Sequence, residues 1–288
     1  MRIAIVGAEG QLGADICREF RRLDHEVIAL THSRIQVESS DSVSSALDES
    51  RPQLLINTAA FHNVERCEQD PATAFAINAL GARNLAKSSA EIGAVLIHIS
   101  TDYVFDGAKR QPYLESDLPL PLNVYGNSKL AAENFVRSLA PKHYVLRTSG
   151  LYGTLPCRAK GGLNFVQLML KLARERGMVK VVQDEWITPT FTEDLARQIV
   201  AVARSSEYGL YHASAEGSCS WYEFAAEIFR LTGTQVELQA ASASDFPAKV
   251  PRPKYSVLEN DALKSRGLNQ MRHWSVGLSE YLATLALN

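Results

Sequence analysis

The sequence predicts an α/β protein, a doubly wound parallel sheet with helices on both faces and a smaller, interleaved α/β lobe. Three observations predict it. Across the first 150 of 288 residues, short β-branched runs alternate with longer amphipathic stretches. Parallel strands need long crossovers, and helical crossovers cover both faces of the sheet. The first strand runs directly into a glycine-rich turn that opens a helix. The stretches "NTAA", "STDY" and "RTSG" also fall where predicted strands end, and ligands of such sheets bind beyond the carboxyl ends of the strands.

The elements follow in order. Residues 2–7, "RIAIVG", form a buried strand closed by glycine. Over residues 11–23, Leu12, Ile16, Phe20 and Leu23 share one helical face. Residues 26–30 form the second strand, 41–49 a short helix and 53–60 the third strand. Pro71, suited to a first helical turn, opens a helix over 71–92. Residues 94–105 form the fourth strand. "LPLPLN" cannot be helix, so the next helix begins at "VYGNSKLAAENF", residues 124–135. Residues 143–153 form the fifth strand. Beyond residue 150 the pattern loosens. A Gly-rich break, "AKGG", precedes a helix over 163–176, a strand over 179–184 and the loop "EWITPTF". A helix over 192–204, a strand over 209–214 and a helix over 220–231 come next. "PAKVPRPKY" then leads to two short final helices. Residues 1–150 are expected to form the first domain and 151–288 mainly the lobe, with segments of about 178–212 returning to the first sheet.

Bulk properties exclude several function classes. A net charge of −2 and a pI near 6.4 leave no polyanion-binding surface, so nucleic acid is not the expected partner. The cysteines Cys17, Cys67, Cys157 and Cys219 form no C-x-x-C pair and no metal-ligand spacing. They read as free thiols in a reducing cytoplasm, and no metal is expected. "MRIAIVGA" lacks the pattern of a signal peptide, and the longest apolar runs are strand-sized, so no membrane span is expected.

"GAEGQLG" spaces Gly7, Gly10 and Gly13 as G-x-x-G-x-x-G between a strand and a helix. Gly7 permits the turn, Gly10 lets a pyrophosphate approach the backbone, and Gly13 lets the helix pack on the sheet. The helix N-terminus then offers amide N–H groups to phosphates. A dinucleotide cofactor is the expected ligand. The second strand ends at Thr31, followed by Ser33 and Arg34, without the acid that usually holds an NAD ribose. This leans toward NADPH; Arg34 is otherwise only an exposed charge. Ser100 and Thr101 place hydroxyls at the end of the fourth strand, where one can hold a carbonyl oxygen as charge grows on it. Tyr125 and Lys129, at i and i+4, share a helical face. A neighbouring ammonium is expected to lower the phenol's pKa and make Tyr125 a better general acid. Trp186 and the "ITPTF" loop are expected to close over a substrate, whereas the stripe of Trp221, Phe224, Ile228 and Leu231 reads as core. Glu65 and Glu68 read as a solvated face.

Together, the glycine turn, Ser/Thr after the fourth strand and Tyr-x-x-x-Lys resemble an extended short-chain dehydrogenase/reductase. More closely, "LLINTAAFHNVERCEQDP", "AFAINALGARNLA", "ISTDYVFDG", "PLNVYGNSKLAAE", "LRTSGLYG" and "ITPTFTEDLA", spread over most of residues 1–200, are similar to the dTDP-4-dehydrorhamnose reductase family. The resemblance implies a Rossmann domain with a nucleotide-sugar-binding lobe. It implies reduction of the C4 ketone of a dTDP-6-deoxy-hexulose by NADPH, with NADH an alternative. Thr101, Tyr125 and Lys129 would then be catalytic, the last two also touching the cofactor beside Ser100. Gly10, Gln11 and Leu12 would hold the pyrophosphate, and Ala59, Ala60 and Phe61 would line the cofactor. Asp102 and Tyr103 would face the sugar. The chain departs from the family at Gly150, where a tryptophan is usual, at His62 and Asn63, which line a changed pocket, and at Glu38, a displaced acid. His62 reads as a pocket wall. The oligomeric state stays open, a homodimer among the alternatives. Two other functions stay open: a nucleotide-sugar epimerase or dehydratase that retains its NAD, and a non-catalytic regulator like the beta subunit of methionine adenosyltransferase. The intact Thr101, Tyr125 and Lys129 argue against the regulator.

Overall fold

A computed structural model describes residues 1–157, 161–246 and 250–286. The first half reads β1 (Arg2–Val6), α1 (Gln11–Arg22), β2 (Glu26–Leu30), α2 (Ser40–Ser50), β3 (Leu54–Asn57), α3 (Val64–Gln69), α4 (Pro71–Phe75), α5 (Gly81–Glu91), β4 (Val95–Thr101), α6 (Val124–Leu139) and β5 (His143–Thr148). The second half reads β6 (Leu151–Tyr152), α7 (Phe165–Glu175), β7 (Met178–Val182), β8 (Trp186–Ile187), β9 (Thr190–Phe191), α8 (Thr192–Ala203), β10 (Gly209–His212), β11 (Cys219–Ser220), α9 (Trp221–Thr232), β12 (Glu237–Ala241), α10 (Asp261–Ser265) and α11 (Trp274–Ala286).

Six strands form one all-parallel sheet in the order β10-β5-β4-β3-β1-β2. The chain leaves β1 toward one edge and returns at β3 to build toward the other. The carboxyl ends of β1 and β3 therefore flank a switch point, the place such sheets keep for ligands. Each face has its own apolar core. Ile3, Ile5, Ile16, Phe20 and Ile199 pack on one side, joining the sheet to α1 and α8. Ala4, Val6, Leu47, Leu85 and Val136 pack on the other, beneath α2, α5 and α6. The lobe has a third core, with Val166, Phe191, Phe224, Ile228 and Tyr281 at its centre.

Four differences from expectation have physical reasons. Residues 178–182, placed among the returning segments, do not join the large sheet; β7 pairs in parallel with β12 inside the lobe. Only alternate residues of β7 are buried, as suits a sheet with one face to solvent. Residues 237–241, "ELQAA", contain no β-branched residue and gave no strand signal. α8 and β10 do return, to the first core and the sheet edge. The helix over 71–92 is interrupted by a π turn, Ala76–Leu80, an irregularity frequent at functional sites. The fifth strand breaks at Gly150, whose φ is 59°. Residues 159–160 of the Gly-rich break and 247–249 of the Pro-rich stretch lie outside the described residues.

Candidate active site

A cleft of about 570 Å³ lies across the carboxyl ends of the strands, between the sheet and the lobe. Its floor on one side is the glycine turn. Gly7 has φ 78°, and a Cβ there would stand 2.7 Å from Thr58 Oγ1. A Cβ on Gly13 would overlap the Gly7 carbonyl oxygen. The turn therefore brings bare backbone to the cleft. α1 starts at Gly10 without a side-chain cap or an acid in its first turn, whereas Ser39, Asn63, Asn123, Asn164 and Ser220 cap α2, α3, α6, α7 and α9. The first amide N–H groups of a helix have no partner within it. Here they line a cleft large enough for an anionic ligand, so the residues fit a dinucleotide pyrophosphate. The backbone of Gln11 and Leu12 stands at this start of the helix and lines the cleft. The Gln11 side chain does not: its amide donates to the Gly153 and Leu155 carbonyls at 3.0 and 2.8 Å. Leu12 is buried in the core.

At the end of β2, Thr31 lines the cleft and shares a hydrogen bond of 2.9 Å with Ser33. Ser33 and Arg34 are not among the lining residues; Arg34 reaches Glu49 at 3.5 Å. His32 and Glu38 line the cleft instead. Beyond β3, the Ala59–Phe61 backbone forms one wall. It is held by Asn78 of the π turn, whose amide accepts from Phe61 N at 2.8 Å and donates to Phe61 O at 3.0 Å and Ser128 Oγ at 2.9 Å. His62 sits at the exposed rim, its Nδ1 3.3 Å from Ala60 O.

The chemistry-bearing groups meet where β4 ends beside α6. Thr101 Oγ1 donates to Asp102 Oδ1 at 3.0 Å and accepts from Tyr103 N at 3.2 Å. The Tyr125 hydroxyl lies close to the same Oγ1. The Tyr103 and Tyr125 rings meet edge to face at 5.8 Å. Asp102 is buried, and the hydroxyls of Ser149 and Thr101 donate to its carboxyl at 2.9 and 3.0 Å; burial nevertheless holds its pKa above the usual carboxylate range. Asp102 thus ties β4 to the exit of β5. Thr148, paired in register with Thr101, turns a buried Oγ1 without a hydrogen-bond partner toward the cleft region.

Two expectations need correction. Ser100 does not offer its hydroxyl to the cleft; it donates to Glu133 Oε1 at 2.5 Å, beneath α6. Nor does Lys129 acidify Tyr125. Lys129 Nζ donates to the Ile99 carbonyl at 2.6 Å and lies 3.3 Å from His98 Nε2. Burial pushes the Tyr125 phenol well above its ordinary pKa; the nearby Thr101 hydroxyl lowers it, and Asp102, Cys67 and Tyr103 raise it. Spacing at i and i+4 put the two Cβ atoms on one face, but the four-carbon lysine stem carries its charge down to β4. Burial also lowers Lys129 to about 8, against a raising effect from Glu133.

The lobe completes the cleft. Arg252 lines it and is ion-paired with Glu65. Glu65 and Glu68 are therefore not a plain solvated face: Glu68 accepts from Val124 N at 3.0 Å, in the first turn of α6. Trp221 lines the cleft beside Phe165, its ring 4.6 Å away, and beside Glu185, which also lines it. Trp221 packs against the lobe core as its helical spacing suggested, and from the first position of α9 it also lines the cleft. Trp186 is not among the lining residues; its neighbours Glu185 and Ile187 are. Gly150 lines the cleft in a left-handed conformation, and a Cβ there would lie 2.9 Å from Thr188 O. No sugar platform can project from this position without moving that backbone.

Comparison with known proteins gives one consistent result. The family described as RmlD substrate binding domain matches residues 1–287. The spore coat polysaccharide biosynthesis protein SpsK of Bacillus subtilis is 40% identical over 281 residues, covering 98% of this chain and 96% of that protein. The crystal structure of a dTDP-4-dehydrorhamnose reductase from Clostridium acetobutylicum superposes with a TM-score of 0.95 at 41% identity, covering 99% of this chain and 100% of that one. That of Bacillus anthracis dTDP-4-dehydrorhamnose reductase, in complex with NADP, has a TM-score of 0.94 at 38% identity, over 98% and 99% of the two chains.

Proposed function

The chain belongs to the dTDP-4-dehydrorhamnose reductase family, and from that premise we infer the part each residue takes in an NADPH-dependent reduction of a dTDP-linked keto-sugar. The substrate we propose is a nucleotide-activated 6-deoxy-hexulose, reduced at its C4 ketone. NADPH supplies the hydride that reduces the carbonyl carbon.

The reaction also requires a proton for the carbonyl oxygen. Tyr125 Oη holds it: burial keeps the phenol protonated in the free enzyme, the form a proton donor needs. Thr101 sets the direction of that proton. Its Oγ1 is fixed by Asp102 and the Tyr103 N–H, and it meets Tyr125 at the carboxyl end of β4. A ketone oxygen seated against both hydroxyls is held where its charge grows once the Thr101 hydroxyl turns its single hydrogen from Asp102 to that oxygen. The amide N–H groups at the start of α1 hold the cofactor's phosphates, and Lys129, at the cleft wall, is placed for its ribose. Arg252, on the lobe, is placed for the nucleotide diphosphate of the sugar, exchanging its Glu65 partner for phosphate oxygens. Its free cysteines suit a reducing compartment, and we place the reaction in the cytoplasm. Among the described residues, no helix is long and apolar enough to cross a membrane.

The observation that carries this reading is the meeting of the Thr101 and Tyr125 hydroxyls in a cleft that also exposes the uncapped start of α1. The test is NADPH oxidation with dTDP-6-deoxy-L-lyxo-4-hexulose, beside other nucleotide-linked ketoses. Turnover with a dTDP-linked 4-ketose is expected. Failure to oxidise NADPH with any of them would refute the proposal.

A further inference from the structure

Beneath the cleft lies a buried polar chain whose protons can be counted. Asn57, at the end of β3, His98, in β4, and Lys129, in α6, are each no more than 3% exposed. Asn57 Oδ1 accepts from the Ala59 backbone N–H at 3.1 Å. A backbone N–H can only donate, so the Asn57 amide cannot be turned round. Its Nδ2 then faces His98 Nδ1 at 3.1 Å and must donate to it. His98 Nδ1 is therefore bare, and the proton of the neutral imidazole sits on Nε2. That N–H points at Lys129 Nζ, 3.3 Å away. An ammonium has no lone pair to receive it; a neutral amine has one.

We propose that His98 is a positioning residue for Lys129: held by Asn57 in its Nε2–H form, it can donate only to the amine form of Lys129 and so eases loss of the lysine's proton in the cofactor-free enzyme, and cofactor binding is linked to uptake of a proton by Lys129. The linkage rests on the reductase reading; the His98 contact does not. When the lysine is charged, the Ile99 carbonyl, at 2.6 Å, is its protein acceptor, and Lys129 also lines the cleft. Acceptors such as ribose hydroxyls there favour the ammonium. The titratable groups around Lys129 are His98 from β4, Glu133 one turn along α6, paired with Arg147 of β5, and Tyr125 one turn back, which faces Asp102, Tyr103 and Cys67. Glu133 opposes the effect of burial without overcoming it, and burial also holds His98 neutral.

Two measurements test this on the full chain. The first follows the Lys129 Cε and Nζ resonances against pH without cofactor, in wild type, His98→Gln and Asn57→Asp. Gln offers the ammonium an amide oxygen with no change of charge. Asp has only acceptors to offer Nδ1, which shifts the imidazole proton from Nε2 to Nδ1 and leaves a bare Nε2 facing the lysine. Wild-type Lys129 is expected to titrate about two units below exposed lysines, which lie near 10.4, and each variant to move it up by about a unit or more. The second is calorimetry of NADPH binding at about pH 8.5, in buffers of different ionisation enthalpy. With a free-enzyme value of about 8, wild type takes up about 0.7 proton on binding if the bound lysine regains its ordinary pKa, and His98→Gln about half of that or less. A wild-type Lys129 that titrates with the surface lysines overturns the proposal, as does a low value that neither variant moves. A low value raised by both variants, in a protein that binds no NADPH, upholds the His98 contact and sinks the reductase reading together with the linkage.

Discussion

Replacing Glu133 by glutamine tests how the catalytic helix is fastened to the sheet. Glu133 Oε1 accepts from Arg147 Nε at 2.9 Å and from Ser100 Oγ at 2.5 Å; Oε2 accepts from Arg147 Nη2 at 2.7 Å. Both charged side chains are at most 2% exposed. Arg147 also lies against the Phe105 ring at 5.1 Å and beside His212, which burial and the Arg147 charge hold down to about 3 and which therefore stays neutral. Glu133→Gln keeps the shape and removes the charge, leaving a buried guanidinium uncompensated. Breaking one partner of such a pair costs about 3–5 kcal/mol. For a chain of this size, about 2–3 °C of Tm accompanies each kcal/mol, so Tm should fall by about 10 °C. Glu133→Gln/Arg147→Met removes the stranded charge as well and should recover most of the loss. Thermal unfolding at fixed protein concentration reads both. A single variant within about 2 °C of wild type, or a double variant no more stable than the single, would show that the pair does not anchor α6 as described.

Three further outcomes follow from the site. Tyr125→Phe should lower kcat by about 10²–10⁴ while the Kd for NADPH, followed by fluorescence titration, stays within about twofold; an unchanged kcat removes Tyr125 as the acid. Burial lowers Lys129 from 10.5 to about 8, so below pH 8 the folded state carries the full cost of holding an ammonium that the unfolded chain keeps freely. That cost, about 3 kcal/mol at 1.36 kcal/mol per unit, is released as pH rises from 8 to 10.5. Lys129→Met should therefore be more stable than wild type at pH 7 in urea unfolding, with a gap that closes toward pH 10; a gap independent of pH contradicts the assignment. Gly150→Trp should destabilise the protein by about 1–3 kcal/mol, because the left-handed backbone and the nearby Thr188 carbonyl oppose a side chain. A variant as stable as wild type in urea, with tighter substrate binding, would show that the turn relaxes readily.

The sequence by itself determined the alternation of strands and helices, the glycine turn at the first strand exit, and the hydroxyls at the fourth. These are local: they depend on the period of the apolar residues and on which residues a turn tolerates. It also carried a signal that passed unread. In "VLIHIST" the polar residues His98 and Ser100 sit two apart on one face of a buried strand, and Lys129 and Glu133 sit four apart on the helix that covers it. Period-two and period-four polar pairs that face each other are a buried network, but neither period says which helix lies over which strand. Only the packing of α6 on β4 decided that Ser100 serves Glu133 and that the Lys129 charge goes to β4. Trp221, Glu185 and Arg252 line the cleft for the same reason: they lie on lobe segments whose place against the sheet is set by contacts distant in the chain, among them β7 with β12 and α8 with the first core. A side chain's reach and a buried group's pKa depend on neighbours distant in the chain, and no local pattern records those distances.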